Sequence, residues 1–282
     1  VKIYIAEYAG FCFGVERAIN IVEEQAEIKT NVSTLGPIIH NPQVVQKFEK
    51  SGVGVAKTPE ELGEKDSVVL RSHGITKDVH ETLKKNKVDI VDATCPFVNK
   101  AHEEAAKLSR NGYTVIVLGE RDHPEVQGIV SYIENDYFII SDESQIKNIS
   151  AGEKIGLIAQ TTQDKDTFER VKAALESKTR HLKVVNTICN ATTLRQNAAK
   201  KLAKSVDLML VIGGKNSGNT TRLYKICKKL CENTFHIETS AELSKDMFDN
   251  INSVGITAGA STPDFLIKDV IEYINEVNNA GK

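Results

Sequence analysis

The sequence predicts an α/β protein of three pseudo-symmetric lobes, each with a small, mostly parallel four-stranded sheet, set around a shared centre. Three observations carry this. Cys12, Cys95 and Cys189, 83 and 94 residues apart, each stand between a strand-like and a helix-like run. A glycine closes an apolar run 24 residues after each of them, at Gly36, Gly119 and Gly213. The strand-like runs are continuously apolar and alternate with helical patterns, as buried parallel strands in βαβ units do.

The N-terminal run KIYIAEY leads to Cys12, VDIVDATC to Cys95 and LKVVNTIC to Cys189. A helical pattern follows each thiol, then the strands NVSTLG, TVIVLG and LMLVIG. Four residues past the closing glycines stand His40, His123 and Ser217, and two further on Pro42, Glu125 and Asn219, each at the start of another helical pattern. The short runs GVGVA, YFIIS and TFHIE supply one more strand per unit. VVLRSHG, IGLIAQTT and SVGITAGAST supply another, with helix starts expected near Asp78, Asp166 and Asp264. The third unit ends in a helix with no strand after it, so the N-terminal strand is expected to close the third sheet. The lobes are therefore 13–95, 96–189, and 190–282 with 1–12.

The polar residues at these strand ends are the candidate site, because parallel sheets bind ligands beyond the carboxyl ends of their strands. Three thiols at equivalent points, among five cysteines and with no disulfide framework, point to a metal or an iron–sulfur cluster. A net charge of −2 with both signs interspersed offers no footprint for nucleic acid. No apolar run is long enough to span a membrane, and the N-terminal run does not read as a signal peptide, so a reducing, cytoplasmic setting is expected.

The motifs AGFCFGVERA, GPIIHNPQVV, RSHG, DATCPFV, GERDHPEVQG, QTT, NTICNAT, GGKNSGNTTRL and AGAS span nearly the whole chain. In these the sequence resembles the LytB family of 4-hydroxy-3-methylbut-2-enyl diphosphate reductases. The resemblance implies a trefoil around a [4Fe–4S] cluster, with Cys12, Cys95 and Cys189 on three irons and the fourth iron open to the substrate's allylic oxygen. It implies reductive dehydroxylation to isopentenyl and dimethylallyl diphosphates, the last step of the methylerythritol phosphate route to isoprenoids. A one-electron carrier such as ferredoxin or flavodoxin is the implied partner, with the enzyme a monomer or homodimer. Glu125 is the implied proton donor, its pKa raised by desolvation in a dry cavity, and Thr161 the implied contact to the substrate hydroxyl. His40, His73, Ser217, Asn219 and Ser261 match diphosphate-binding positions, and His123 a histidine beside the substrate. The set contains no Arg or Lys, so hydrogen bonds and helix N-termini are expected to hold the phosphates. Many family members have a serine where this chain has Gly218; a hydroxyl is missing there, although a glycine amide approaches phosphate closely.

Two other functions fit parts of the pattern. An open-site [4Fe–4S] lyase like quinolinate synthase also uses three lobes and three cysteines, but its motifs do not match. A non-catalytic phosphometabolite sensor holding zinc would be colourless. No Cys-x3-Cys-x2-Cys run supports radical S-adenosylmethionine chemistry, and GGKNSGNTT lacks the Gly-Lys-Ser/Thr ending of a P-loop. Cys227 and Cys231, four apart on one helical pattern, read as packing. His80, His102, His181 and His236 have no motif around them and read as surface or satisfied core residues.

Overall fold

The computed structural model describes residues 1–149 and 153–280. In chain order the elements are β1 (Lys2–Ile5), α1 (Phe13–Ile28), β2 (Val32–Leu35), α2 (Pro42–Lys50), β3 (Gly54–Ala56), β4 (Ser67–Leu70), α3 (Lys77–Lys85), β5 (Asp89–Asp92), α4 (Pro96–Arg110), β6 (Thr114–Leu118), α5 (Pro124–Val130), β7 (Tyr137–Ile140), β8 (Lys154–Ala159), α6 (Lys165–Glu176), β9 (His181–Val184), α7 (Asn190–Ala203), β10 (Leu208–Ile212), α8 (Gly218–Lys228), β11 (Thr234–Ile237), β12 (Ser253–Ala258) and α9 (Asp264–Ala280).

Three four-stranded sheets result, in the orders β3-β2-β4-β5, β7-β6-β8-β9 and β11-β10-β12-β1. Every ladder among the described residues is parallel, so "mostly parallel" understates the regularity. Strand β1 closes the third sheet as expected, with Lys2 opposite Ser253 and Ile5 opposite Ile256.

The second and third sheets have helices on both faces, and their strands alternate in what they bury. Val115 and Val117 of β6 pack with α4 and α5, whereas Ile116 and Leu118 pack with α6. In β10, Leu208, Leu210 and Ile212 face α9, while Met209 and Val211 face α7 and α8. That two-sided burial explains the continuous apolar runs; each fully buried Leu or Ile contributes about 1.5–3 kcal/mol. Helices start near Asp78, Asp166 and Asp264, as expected. Thr76 caps α3 and Asp164 caps α6 through their side chains, so Asp78 and Asp166 lie in the first turns, where a carboxylate still meets the helix dipole favourably.

The chain falls into two compact units. One comprises Val1–Val15, His40–Val44 and the described residues from Asn190 onward; it carries the third sheet. The other comprises Glu16–Ile39 and the described residues of Val45–Cys189; it carries the first two sheets.

Candidate active site and cysteine turns

In every sheet the chain first crosses outward, from β2 to β3, β6 to β7 or β10 to β11, and then returns to the other side. The strand order therefore reverses between β2 and β4, β6 and β8, and β10 and β12. Such switch points leave a crevice beyond the strand ends. His40 and His73 follow β2 and β4, His123 and Thr161 follow β6 and β8, and Ser217 and Ser261 follow β10 and β12.

In the two-sheet unit, Glu125 lies in the first turn of α5 and is 1% exposed. Both of its carboxylate oxygens accept from Thr161: Oε1 from the amide at 2.6 Å and Oε2 from the hydroxyl at 3.0 Å. A buried carboxyl group would be costly without such partners. The helix start is fixed locally. His123 caps α5, its Nδ1 accepting from the Glu125 amide at 3.1 Å, and Pro124 supplies a preset φ at the first position. With Nδ1 accepting, a neutral His123 carries its proton on Nε2 and donates from there. The His73 ring meets the His123 ring edge-on, with centroids 5.5 Å apart, so the ends of β4 and β6 come together.

In the other unit, four diphosphate candidates share one corner. The Ser261 hydroxyl donates to the His40 carbonyl at 3.2 Å. A Cβ at Gly214 would stand 2.9 Å from that same carbonyl, so the turn after β10 approaches it as closely as only glycine permits. Ser217, buried, caps α8 by accepting from the Thr220 amide, and Gly218 and Asn219 form the helix's first turn. Asn219 Nδ2 is buried with no hydrogen-bond partner among the described residues, which leaves a donor available at a helix N-terminus. Asn41 was not singled out by the sequence as a side chain. It is buried, caps α2 by accepting from the Val44 amide, and leaves its Nδ2 unmatched in the same way.

The three cysteines occupy equivalent places. Each follows an edge strand and immediately precedes a helix: Cys12 after β1, Cys95 after β5 and Cys189 after β9. Each amide donates to the carbonyl two residues past the neighbouring strand: Cys12 to Ala260 (3.2 Å), Cys95 to Ser72 (3.0 Å) and Cys189 to Thr161 (2.9 Å). All three are partly exposed, and none is in a disulfide. Cys12 lies in the first-named unit, Cys95 and Cys189 in the other. Thr161 thus joins the Glu125 carboxylate, through its amide and hydroxyl, to the Cys189 turn, through its carbonyl.

Cys227 and Cys231 lie apart from these turns. Both are buried in the core between β10, α7 and α8, and burial pushes the Cys227 thiol up to about 12. His102 is buried, stacked on Tyr132 at 4.8 Å; burial pulls its pKa down to about 4, against the pull of Asp92.

Parallel sheets with polar residues at their switch points, and in one unit a buried carboxyl group held at both oxygens, define the class as an α/β enzyme. The chain belongs to the LytB protein family, whose model matches residues 3–275. It is 48% identical to the 4-hydroxy-3-methylbut-2-enyl diphosphate reductase of Geobacter sulfurreducens over the whole of both chains. It is 47% identical to the enzyme of that name from Aquifex aeolicus, covering 98% of this chain and 97% of the relative. Among solved structures it matches an (E)-4-hydroxy-3-methyl-but-2-enyl diphosphate reductase described as the terminal enzyme of the non-mevalonate pathway, at 47% identity and a TM-score of 0.72, covering 98% and 99% of the two chains. It also matches the E-1-hydroxy-2-methyl-but-2-enyl-4-diphosphate reductase from Plasmodium falciparum, at 28% identity and a TM-score of 0.90, covering 97% and 87%.

Proposed function

We propose that this chain is an oxidoreductase that removes the hydroxyl of 4-hydroxy-3-methylbut-2-enyl diphosphate, giving isopentenyl and dimethylallyl diphosphates. Each turnover takes up two electrons and two protons and releases water. The observation that carries this reading is the Glu125–Thr161 pair, a buried carboxyl group oriented at both oxygens, one residue-step from a cysteine turn.

Cys12, Cys95 and Cys189 would hold a [4Fe–4S] cluster. Their equivalence fits the group: three thiols outside any disulfide, each partly exposed, each held at its amide by a strand-end carbonyl. When bound, such a cluster supplies electrons singly and, with three protein ligands, an open Lewis-acidic iron. The protein's own residues do the rest. Glu125 holds the proton destined for the leaving hydroxyl, and Thr161 orients the carboxyl group and the substrate oxygen. His123 Nε2–H donates beside them. His40, His73, Ser217, Asn219 and Ser261, with the amide of Gly218, hold the diphosphate by hydrogen bonds and helix N-termini.

The lobes are 13–95, 96–189, and 190–282 with 1–12. The electron donor is a one-electron carrier such as ferredoxin or flavodoxin, the assembly a monomer or homodimer, and the setting cytoplasmic. No described helix is long and apolar enough to cross a membrane. Anaerobic incubation with substrate and a reduced one-electron donor tests the reading. Both isoprenoid diphosphates should form, with two electrons consumed per product; redox-neutral conversion, or none, would refute it.

A further inference from the structure

Arg195 of α7 is 2% exposed, yet its guanidinium reaches back to the turn that presents Cys12. Nε donates to the Tyr8 carbonyl at 2.8 Å and Nη2 to the Gly10 carbonyl at 2.7 Å. Tyr8 has φ +62°, a left-handed conformation that costs energy for an ordinary residue, and Gly10 has φ +98°, which glycine accommodates. A Cβ at Gly10 would stand 3.1 Å from Asp264 Oδ1, so the turn is also closely packed. Two loop carbonyls are thereby satisfied by a rigid planar cation, the geometry for which arginine suits and lysine does not.

The other unit repeats the device. Arg17 of α1 donates through Nη1 to the Thr94 carbonyl and through Nη2 to the Asp92 carbonyl, both at 3.2 Å, in the turn that presents Cys95. At the Cys189 turn the Thr187 hydroxyl donates to the Ala159 carbonyl and accepts from the Ala159 amide.

We propose that Arg195 is a positioning residue for Cys12, clamping the strained Tyr8–Gly10 turn so that the thiol is held in place, and that Arg17 does the same for Cys95. This deepens the cluster reading above, on which the iron measurement depends; the alkylation measurement does not depend on it.

The test uses anaerobically purified full-length chain: wild type, Arg195→Met, Arg195→Lys and Arg17→Met. Each is exposed to iodoacetamide and an iron chelator. Modification of all five cysteines is read by peptide mass spectrometry, alongside iron released. Loss of hydrogen bonds from a charged donor should raise the early ratio of Cys12 to Cys95 modification about tenfold in Arg195→Met. Arg17→Met should move the same ratio the opposite way, which general destabilisation would not do. Iron should leave both Met variants faster than wild type, and Arg195→Lys should lie between. Cys227 and Cys231, both buried, report the fold: if they are modified in Arg195→Met, that variant has unfolded and Arg195→Lys decides. An unchanged ratio in a folded variant, or a shift in the same direction for both arginines, overturns the proposal. A wild type that holds no iron refutes the cluster while the ratio still judges the clamp.

Discussion

Thr161 grips Glu125 from both ends of its carboxylate, with the amide on Oε1 and the hydroxyl on Oε2. The pair is 36 residues apart in sequence and joins the helix after β6 to the turn after β8. The same threonine's carbonyl receives the Cys189 amide, so one residue registers acid and thiol turn together.

Glu125→Gln keeps the shape of the side chain and removes its proton. Turnover should fall by about 10²- to 10⁴-fold, the usual weight of a general acid, while substrate affinity stays within a few-fold. Steady-state kinetics with a titration of substrate binding checks this; full activity would remove Glu125 from its role.

Thr161→Val deletes the hydroxyl and leaves the amide. The loss of one hydrogen bond to a buried carboxyl group should lower kcat about tenfold, and Thr161→Ser should restore most of it. Equal rates in all three proteins would mean that the hydroxyl does not orient the acid.

His102 predicts a pH dependence of stability. Its folded pKa of about 4 lies below the ordinary 6.5, because burial disfavours the charged ring. The stability is therefore complete above about pH 6.5 and is lost as the pH falls toward 4, since the unfolded chain then takes a proton the folded one refuses; the loss is on the order of 3 kcal/mol. Urea melts across that range should show a shallower slope for His102→Gln than for wild type. Identical slopes would place the titration elsewhere.

Cys227 should be silent toward alkylating agents in the folded protein, with its thiol held up near 12 by burial. Cys227→Ser should keep turnover and cluster content while costing about 1–3 kcal/mol of stability from a buried hydroxyl. Loss of iron in that variant would give this cysteine a role that its place in the core does not support.

Much of the scaffold is written along the chain. The Cys12–Gly36, Cys95–Gly119 and Cys189–Gly213 spacing marks a repeated strand, and a final helix without a following strand at Phe265–Asn279 implies that β1 must be borrowed. Polar residues at strand ends could be picked out because parallel sheets bind ligands beyond the carboxyl ends of their strands. What stayed hidden depends on partners far apart in sequence. Nothing in the sequence marks Arg195; the fold brings Tyr8 and Gly10 to it from 187 and 185 residues away. Between surface and core the sequence leaves His102 open, because nothing nearby announces that Gly74 and Gly128 leave room for its ring. Asn41 sits beside a recognised histidine, but only the start of α2 reveals its cap.

The central claim is that Cys12, Cys95 and Cys189 bind one inorganic centre. Iron and sulfide analysis of anaerobically purified wild type and of the three single Cys→Ser variants tests it most directly. The account predicts about four of each per wild-type chain, with brown colour, and a marked loss in every one of the three variants. Colourless wild type holding zinc, or undiminished iron in any of the three variants, would contradict it.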